Sequence, residues 1–305
     1  MQTATRHTLL NSVIGTGKLG VASLFSIKGW VIIVTGGSTG IGLVTAAALV
    51  ENGAKVYITG RRAELLDQAV KMVTDNAKGS GGSIHAVAGD TSTKEGIAEL
   101  VHQVSAKEKY INVLINNQGV SLGAPDVEGA PQTPEGISEV LFAQPMENWL
   151  QTYQINTAAY FYSSVAFLPL LAAAKTVGGF PEPGNIVNIG SMSGLTTTSQ
   201  RGQFEYNASK AATHSLSRQL ANDFARRGLG VRVNVICPGY FSSGMTNVGD
   251  ASQDPAGFAT QWGIPFGRGG HAVDYAQAIF SLITNQYVTG TELIIDGGWL
   301  LQLAY

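Results

Sequence analysis

The sequence predicts an α/β protein: a single doubly wound parallel sheet of about seven strands, flanked by helices. Three observations carry that prediction. From Gly29 onward, short β-branched runs alternate with helix-length segments. The runs are continuously apolar, as strands covered on both faces must be, and do not alternate as half-exposed strands do. Gly-rich turns separate the runs from the helices, and strands alternating with helices give βαβ units with right-handed crossovers.

Each element is then placed in order. Trp30–Thr35 reads as the first strand, followed by a glycine turn and the apolar helix Ile41–Glu51, which Asn52-Gly53 stops. Lys55–Thr59 is the second strand, Arg62–Asn76 a helix, Ile84–Ala88 the third strand and Ser92–Glu108 another helix. Asn112–Asn116 is the fourth strand. Val120–Met146, rich in Gly, Pro and Glu, reads as a loop with one short helix. A long helix, Glu147–Lys175, precedes strand five, Asn185–Gly190. Glu205–Arg227 is a second long helix and Val231–Cys237 strand six. Pro238–Gly270 reads as Gly/Ser/Pro-rich, before the helix Ala272–Thr284 and the last strand, Glu292–Ile295.

No internal repeat or linker divides the 305 residues. The expected organisation is an extension at 1–24 and one catalytic domain at 25–305, with segments near 120–146 and 240–270 covering a substrate. Lys and Arg number 19 against 21 Asp and Glu, a net charge of -2, which offers no polycationic surface for nucleic acid. Hydrophobic residues make up 44% and charged ones 13%, a balance for a buried core and against disorder. The longest apolar stretch, Val165–Ala174, contains Pro169 and is short of the roughly 18 residues of a membrane span. The expected location is cytoplasmic. The first acid is Glu51, and Arg6, Lys18 and Lys28 precede it, so organelle targeting by the extension is the alternative to a surface or subunit-contact role. A single cysteine, Cys237, and five histidines without HxxxH or HExxH spacing give no expected metal site. His214, one turn past Lys210, reads as packing. Met192 occupies the centre of GSMSG, so a serine-hydrolase elbow is disfavoured.

Two constellations carry chemistry. Thr35-Gly36-Gly37-Ser38-Thr39-Gly40-Ile41-Gly42 lies between strand one and its helix. Glycines there permit a tight turn and close backbone approach, and the helix N-terminus offers free N–H groups to a pyrophosphate. After strand two come Gly60-Arg61-Arg62 and no acid. An acid there would bond a ribose 2′-OH, whereas arginine accommodates a 2′-phosphate, so the expected cofactor is NADP(H), with Arg61 the principal clamp. In Tyr206-Asn207-Ala208-Ser209-Lys210, a tyrosine and a lysine share one helix face. A nearby ammonium favours phenolate over phenol, which suits the tyrosine to acid–base work.

Taken in order, TGGSTGIG, Asn116-Asn117-Gln118-Gly119, Asn156, Ser191, YNASK, Pro238-Gly239 and the closing Asp296-Gly297-Gly298-Trp299 resemble the short-chain dehydrogenase/reductase family from about Phe25 to Gly298. The resemblance implies a Rossmann fold and a catalytic set of Asn156, Ser191, Tyr206 and Lys210. Tyr206 is implied as proton donor to a ketone or base toward an alcohol, and Lys210 as the ribose ligand that lowers its pKa. Ser191 is implied to hold the substrate oxygen, and Asn156 to anchor a water leading from Lys210. Thr35, Gly36, Ser38, Thr39, Gly40, Ile41 and Gly42 are implied around the diphosphate and its ribose. Asp90 and Thr91 are implied near the adenine, with Arg61, Arg62, Asn117, Gly119, Tyr206, Lys210, Pro238 and Gly239 completing the cofactor set.

The sequence departs from the family in two places. Gln118 stands where the family usually has alanine. Ser191 lies 15 residues before Tyr206, a longer spacing than usual, so the TTTSQRGQF loop carries an insertion. Ser193 is therefore the rival serine, and Ser191 is preferred because it directly ends strand five. The leading function is an NADP(H)-dependent oxidoreductase interconverting a ketone and a secondary alcohol. Tyr240, Phe241, Met245, Phe258, Trp262 and Phe266 suggest a hydrophobic lid and a polyketide, acyl or terpenoid substrate, though such a lid could equally bury itself against a subunit. The alternative is a non-redox lyase, isomerase or cyclase using the same Tyr206; a cofactor-sensing regulator ranks third. A homotetramer or homodimer through the two long helices is implied by the resemblance.

Overall fold

The computed structural model describes residues 10, 12–244, 246, 248 and 255–304. Seven strands form one fully parallel sheet in the order β3-β2-β1-β4-β5-β6-β7. They are β1 Val31–Thr35, β2 Lys55–Gly60, β3 Ser83–Ala88, β4 Val113–Asn116, β5 Asn185–Ile189, β6 Arg232–Pro238 and β7 Glu292–Ile295. Successive β1 side chains enter different cores. Ile32 and Val34 join one apolar cluster, and Val31 and Ile33 join another. That is why the strand reads as an unbroken apolar run.

The helices follow in chain order. A single turn, α1 (Val21–Leu24), lies in an exposed N-terminal stretch; among the described residues the first fully buried one is Ile27. Helices α2 (Gly40–Glu51) and α3 (Ala63–Asn76) pack on one face, through Leu49 and Leu66. Helix α4 (Lys94–Ser105), capped by the Thr93 hydroxyl accepting from the Gly96 N–H at 3.1 Å, packs on the other. Helix α5 (Pro134–Phe142) is the one short helix expected between strand four and the long helix.

That long helix is in fact broken. It consists of α6 (Met146–Tyr153), a π-helical turn at Gln154–Ala158, α7 (Ala159–Ala166) and α8 (Leu168–Thr176). Pro169 has no N–H for the ladder, so the helix restarts after Phe167. The run Met146–Thr176 is long and apolar enough to cross a membrane by length and composition. Its buried Phe167 and Leu171 pack against the sheet, however, and it also buries Thr152 and Asn156, so it is a core helix of this fold. The remaining helices are α9 (Phe204–Arg226), α10 (Pro255–Trp262) and α11 (Ala272–Thr284). Helix α10 falls in the Gly/Ser/Pro-rich stretch Pro238–Gly270, where no helix is expected from the sequence. Its signal was present, since Pro255 suits a helix start and Phe258 and Trp262 are four apart.

Chain progression reverses between β1 and β4: β2 and β3 lie to one side of β1, and β4 to β7 to the other. In a doubly wound sheet the crevice at that reversal, beyond the carboxyl ends of the strands, is where ligands bind.

Candidate active site

The loops following β1 to β6 line one groove of about 680 Å³. Gly36, Ser38, Thr39, Gly40, Ile41 and Gly42 form one wall. Gly36 takes φ +63°, and a side chain on Gly42 would collide with the Gly36 carbonyl oxygen and the Asn117 amide. Asn117 fastens this turn to the end of β4: its Nδ2 donates to the carbonyls of Thr35 and Gly36, both at 3.0 Å. Thr35 lies behind the wall, fully buried, its hydroxyl accepting from the Asn117 N–H at 2.9 Å. Helix α2 has no side-chain cap at Thr39 and no acid in its first turn. Its first N–H groups and positive dipole end are thus left for an anion. Asn117 Oδ1 is buried without a hydrogen-bond partner among the described residues, an acceptor suited to a hydroxyl of the ligand.

Arg61 and Arg62 stand at one end of the groove, exposed, and neither forms an ion pair among the described residues. Asp90 and Thr91 follow β3 nearby. Burial pushes the Asp90 carboxyl up, but hydrogen bonds from Ser92 and the charge of Arg61 outweigh it and hold the group below its ordinary range. The volume of the groove, the uncapped helix and the free arginines fit a dinucleotide with an additional phosphate.

At the other end lie Ser191, Tyr206, Lys210, Gly119, Pro238 and Gly239. Lys210 Nζ donates to the Ile189 carbonyl at 2.8 Å and sits 5.8 Å from the centroid of the Tyr206 ring. Burial lowers the Lys210 pKa to about 8. Tyr206 is hydrogen-bonded to the Ser191 side chain, yet burial dominates and raises its pKa above the ordinary value near 10. The direction differs from the depression expected of a neighbouring ammonium. The reason is the burial of the phenol, while Lys210 Nζ is held by the Ile189 carbonyl.

Of the two candidate serines, Ser191 lines the groove, and Ser193 is turned away, its N–H donating to Ser191 Oγ at 3.1 Å. Asn156 is fully buried behind the groove, on the π-helical turn. Its side chain clamps Val120 from both sides, accepting from the Val120 N–H and donating to its carbonyl at 2.9 Å each. Its main-chain carbonyl accepts from the Thr213 hydroxyl at 2.6 Å. Asn156 thus supports the floor through Val120 and does not reach the groove itself.

Sequence reasoning did not single out several lining residues. Val120, Leu122, Ile155 and Ile189 give the groove apolar surface near Tyr206. The departure Gln118 accepts from the Thr35 hydroxyl, and its main-chain carbonyl accepts from Tyr160 at 2.7 Å. Nor do the aromatics of the 240–270 segment form a wall. Tyr240, Phe258 and Trp262 pack with Met192, Ile264 and Trp299 into a small core, and Trp299 Nε1 donates to the Trp262 carbonyl at 3.1 Å. Phe241 alone of that set lines the groove, Phe266 is exposed, and Met245 lies outside the described residues. The inserted loop turns back through Gln200 and Arg201, both at positive φ, and Gln200 Nε2 reaches the Tyr240 hydroxyl at 3.5 Å.

A crevice at the sheet's reversal, with a glycine turn at one wall and a tyrosine–lysine helix at the other, defines the class of dinucleotide-binding α/β enzymes. The chain belongs to the short chain dehydrogenase family, whose profile matches residues 30–254. It is 36% identical over 293 residues to the short-chain dehydrogenase/reductase PhomF of Diaporthe leptostromiformis, covering 93% of this chain and 96% of that one. It is 33% identical over 281 residues to the rhamnolipids biosynthesis 3-oxoacyl-(acyl-carrier-protein) reductase of Pseudomonas aeruginosa, covering 91% and 98%. Among solved structures, the Pseudomonas aeruginosa RhlG/NADP active-site complex superposes with a TM-score of 0.75 at 32% identity, covering 90% of this chain and 98% of that one.

Proposed function

We propose that the protein is an NADP(H)-dependent reductase of ketones, or dehydrogenase of the matching secondary alcohols, acting on hydrophobic small molecules. The observation that carries this reading is the placement of Ser191, Tyr206 and Lys210 in the same groove as the uncapped glycine turn and the unpaired arginines. When bound, the reduced nicotinamide supplies the hydride. Ser191 holds the carbonyl oxygen of the substrate against Tyr206 and stabilises the negative charge that develops there. Tyr206 Oη gives its proton to that oxygen in reduction and takes it back in oxidation. Lys210, buried and cationic at neutral pH, stabilises the tyrosinate that remains. Arg61 and Arg62 hold the 2′-phosphate, and the N-terminus of α2 holds the pyrophosphate. The P. aeruginosa structure with NADP supports the cofactor choice, and the rhamnolipid reductase supports an acyl ketone as substrate. The apolar surface of Val120, Leu122, Ile155 and Ile189 supports the same substrate class.

The experiment is NADPH oxidation followed by absorbance over a panel of 3-oxo esters, aliphatic ketones and aryl ketones. Substrate-dependent oxidation with formation of the alcohol is expected. Product formed with the cofactor unchanged would replace this reading with non-redox chemistry. Tyr206→Phe removes only the phenolic hydroxyl, so turnover should fall by at least about 100-fold, within the range of general acid catalysis. NADPH affinity measured by fluorescence titration should stay within about threefold, because the phosphate contacts are untouched. Near-normal turnover in that variant would remove Tyr206 from the acid–base role.

A further inference from the structure

One buried group beside the site has no part in the proposed chemistry. His214, on α9 one turn past Lys210, is 1% exposed and lies directly under the turn that follows β5. Its Nε2 accepts from the Ser191 main-chain N–H at 3.2 Å, and its Nδ1 faces Glu292 Oε2 on β7 at 3.5 Å. Glu292 is in turn paired with Arg218, four residues further along α9. The turn leaves no room beside the ring: a side chain on Gly190 would strike Nε2, and one on Gly194 would strike the α9 backbone at Lys210 and Ala211 and then the ring at Cε1.

These contacts fix the proton. An Nε2 that accepts a main-chain N–H must present its lone pair, so the neutral ring carries its hydrogen on Nδ1, toward the carboxylate. The groups facing the ring are Glu292 from β7, Cys237 from β6, and Lys210 and Arg218 from α9. Burial, with Lys210 and Arg218 adding to it, lowers the His214 pKa to about 4, so the ring is neutral at physiological pH. Cys237 Sγ stands 3.6 Å from the same Nε2. Histidine, cysteine and Glu292 are close enough together to suggest a metal site. Against it, Nε2 is committed to the Ser191 main-chain N–H.

We propose that His214 is a positioning residue for Ser191: its unprotonated Nε2 holds the Ser191 main-chain N–H and so fixes the serine hydroxyl against Tyr206. The proposal rests on the reading of Ser191 as the residue that holds the substrate oxygen. A misplacement of about 1 Å in such a group is worth up to about 100-fold in rate. His214 has no surface in the groove, so its influence is exerted entirely through Ser191.

The test compares His214→Leu, His214→Gln, Ser191→Ala and the Ser191→Ala/His214→Leu double variant in NADPH-dependent reduction of ethyl acetoacetate. Leucine removes the acceptor, so kcat should fall by about 10- to 100-fold, with NADPH affinity unchanged. Glutamine can place its carbonyl oxygen where Nε2 stands and should recover most of the loss. In the Ser191→Ala background, His214→Leu should cost little further rate, because the group it positions is already gone. Independent, multiplying losses in the double variant would overturn the proposal, as would a glutamine variant no better than leucine. A second measurement needs no turnover and no variant: the 15N shifts of the His214 ring in the cofactor-free protein. A ring protonated on Nδ1 alone at pH 7 is expected, and a ring protonated on Nε2 would overturn the proposal. Failure of the broader functional reading would show separately, as wild-type protein that oxidises no NADPH with any ketone, while the ring-nitrogen result still tests the contact of His214 Nε2 with the Ser191 N–H.

Discussion

Arg61 shows what a single residue can reveal before any contact is known. Its place immediately after β2 follows from the local sequence, and the groove leaves it without an ion-pair partner among the described residues. Arg61→Ala should weaken NADPH binding by about 10- to 100-fold, the usual worth of hydrogen bonds to a charged group. NADH binding should change by less than about threefold, and fluorescence titration of both cofactors checks it; equal losses would remove the 2′-phosphate role. Ser191 was also legible, because ending a strand places a residue at the crevice whatever the rest of the chain does. Asn156 and His214 were not legible in the same way. Asn156 faces inward because a π-helical turn rotates it onto Val120, and His214 matters because β5, β7 and α9 meet around it. Neither meeting is written in nearby residues.

At the scale of elements, the strands were the most legible part. β7 and α11 have the predicted bounds, and β1 to β6 differ by a residue at one end or both. Buried apolar runs leave little choice of conformation, whereas breaks within a helix depend on where the ladder loses a donor, as at Pro169. The aromatic residues of the 240–270 segment were harder to place, because composition marks them as buried without saying against what. They bury largely against each other and Trp299. Side-chain bonds also tie the strands together. Asn112 Oδ1, just before β4, accepts from the Val31 N–H of β1 at 2.8 Å in the interior. Asn112→Ala leaves that N–H unpaired and should lower stability by about 1–3 kcal/mol, read from denaturant unfolding. A change within error would mean that another group or a water satisfies Val31.

At the scale of the whole molecule, buried bases set how stability depends on pH. The folded His214 pKa lies near 4, below its ordinary 6.5, so between those values the unfolded chain takes up a proton that the folded chain refuses. The penalty is absent above pH 6.5, grows as pH falls and is complete below about 4. It amounts to about 3 kcal/mol. Lys210, lowered to about 8, acts with the same sign in alkali: the cost of its buried charge is full below about 8 and fades toward 10.5. His214→Gln should flatten the acid limb of a stability–pH profile, and an unchanged limb would assign it to other groups. The long helices expose Leu150, Phe161, Tyr162 and Phe204, which supports the expected dimer or tetramer, and light scattering at micromolar concentration should give a mass of two or four chains. By itself the sequence determined the strand order of events along the chain, the glycine turn, the arginines after β2 and the tyrosine–lysine pair, because each depends on residues a few positions apart. Only the tertiary structure decided that Asn156 lies behind the groove and that His214 underlies Ser191. Those facts depend on how distant strands and helices come together, and local propensity and spacing hold no record of that.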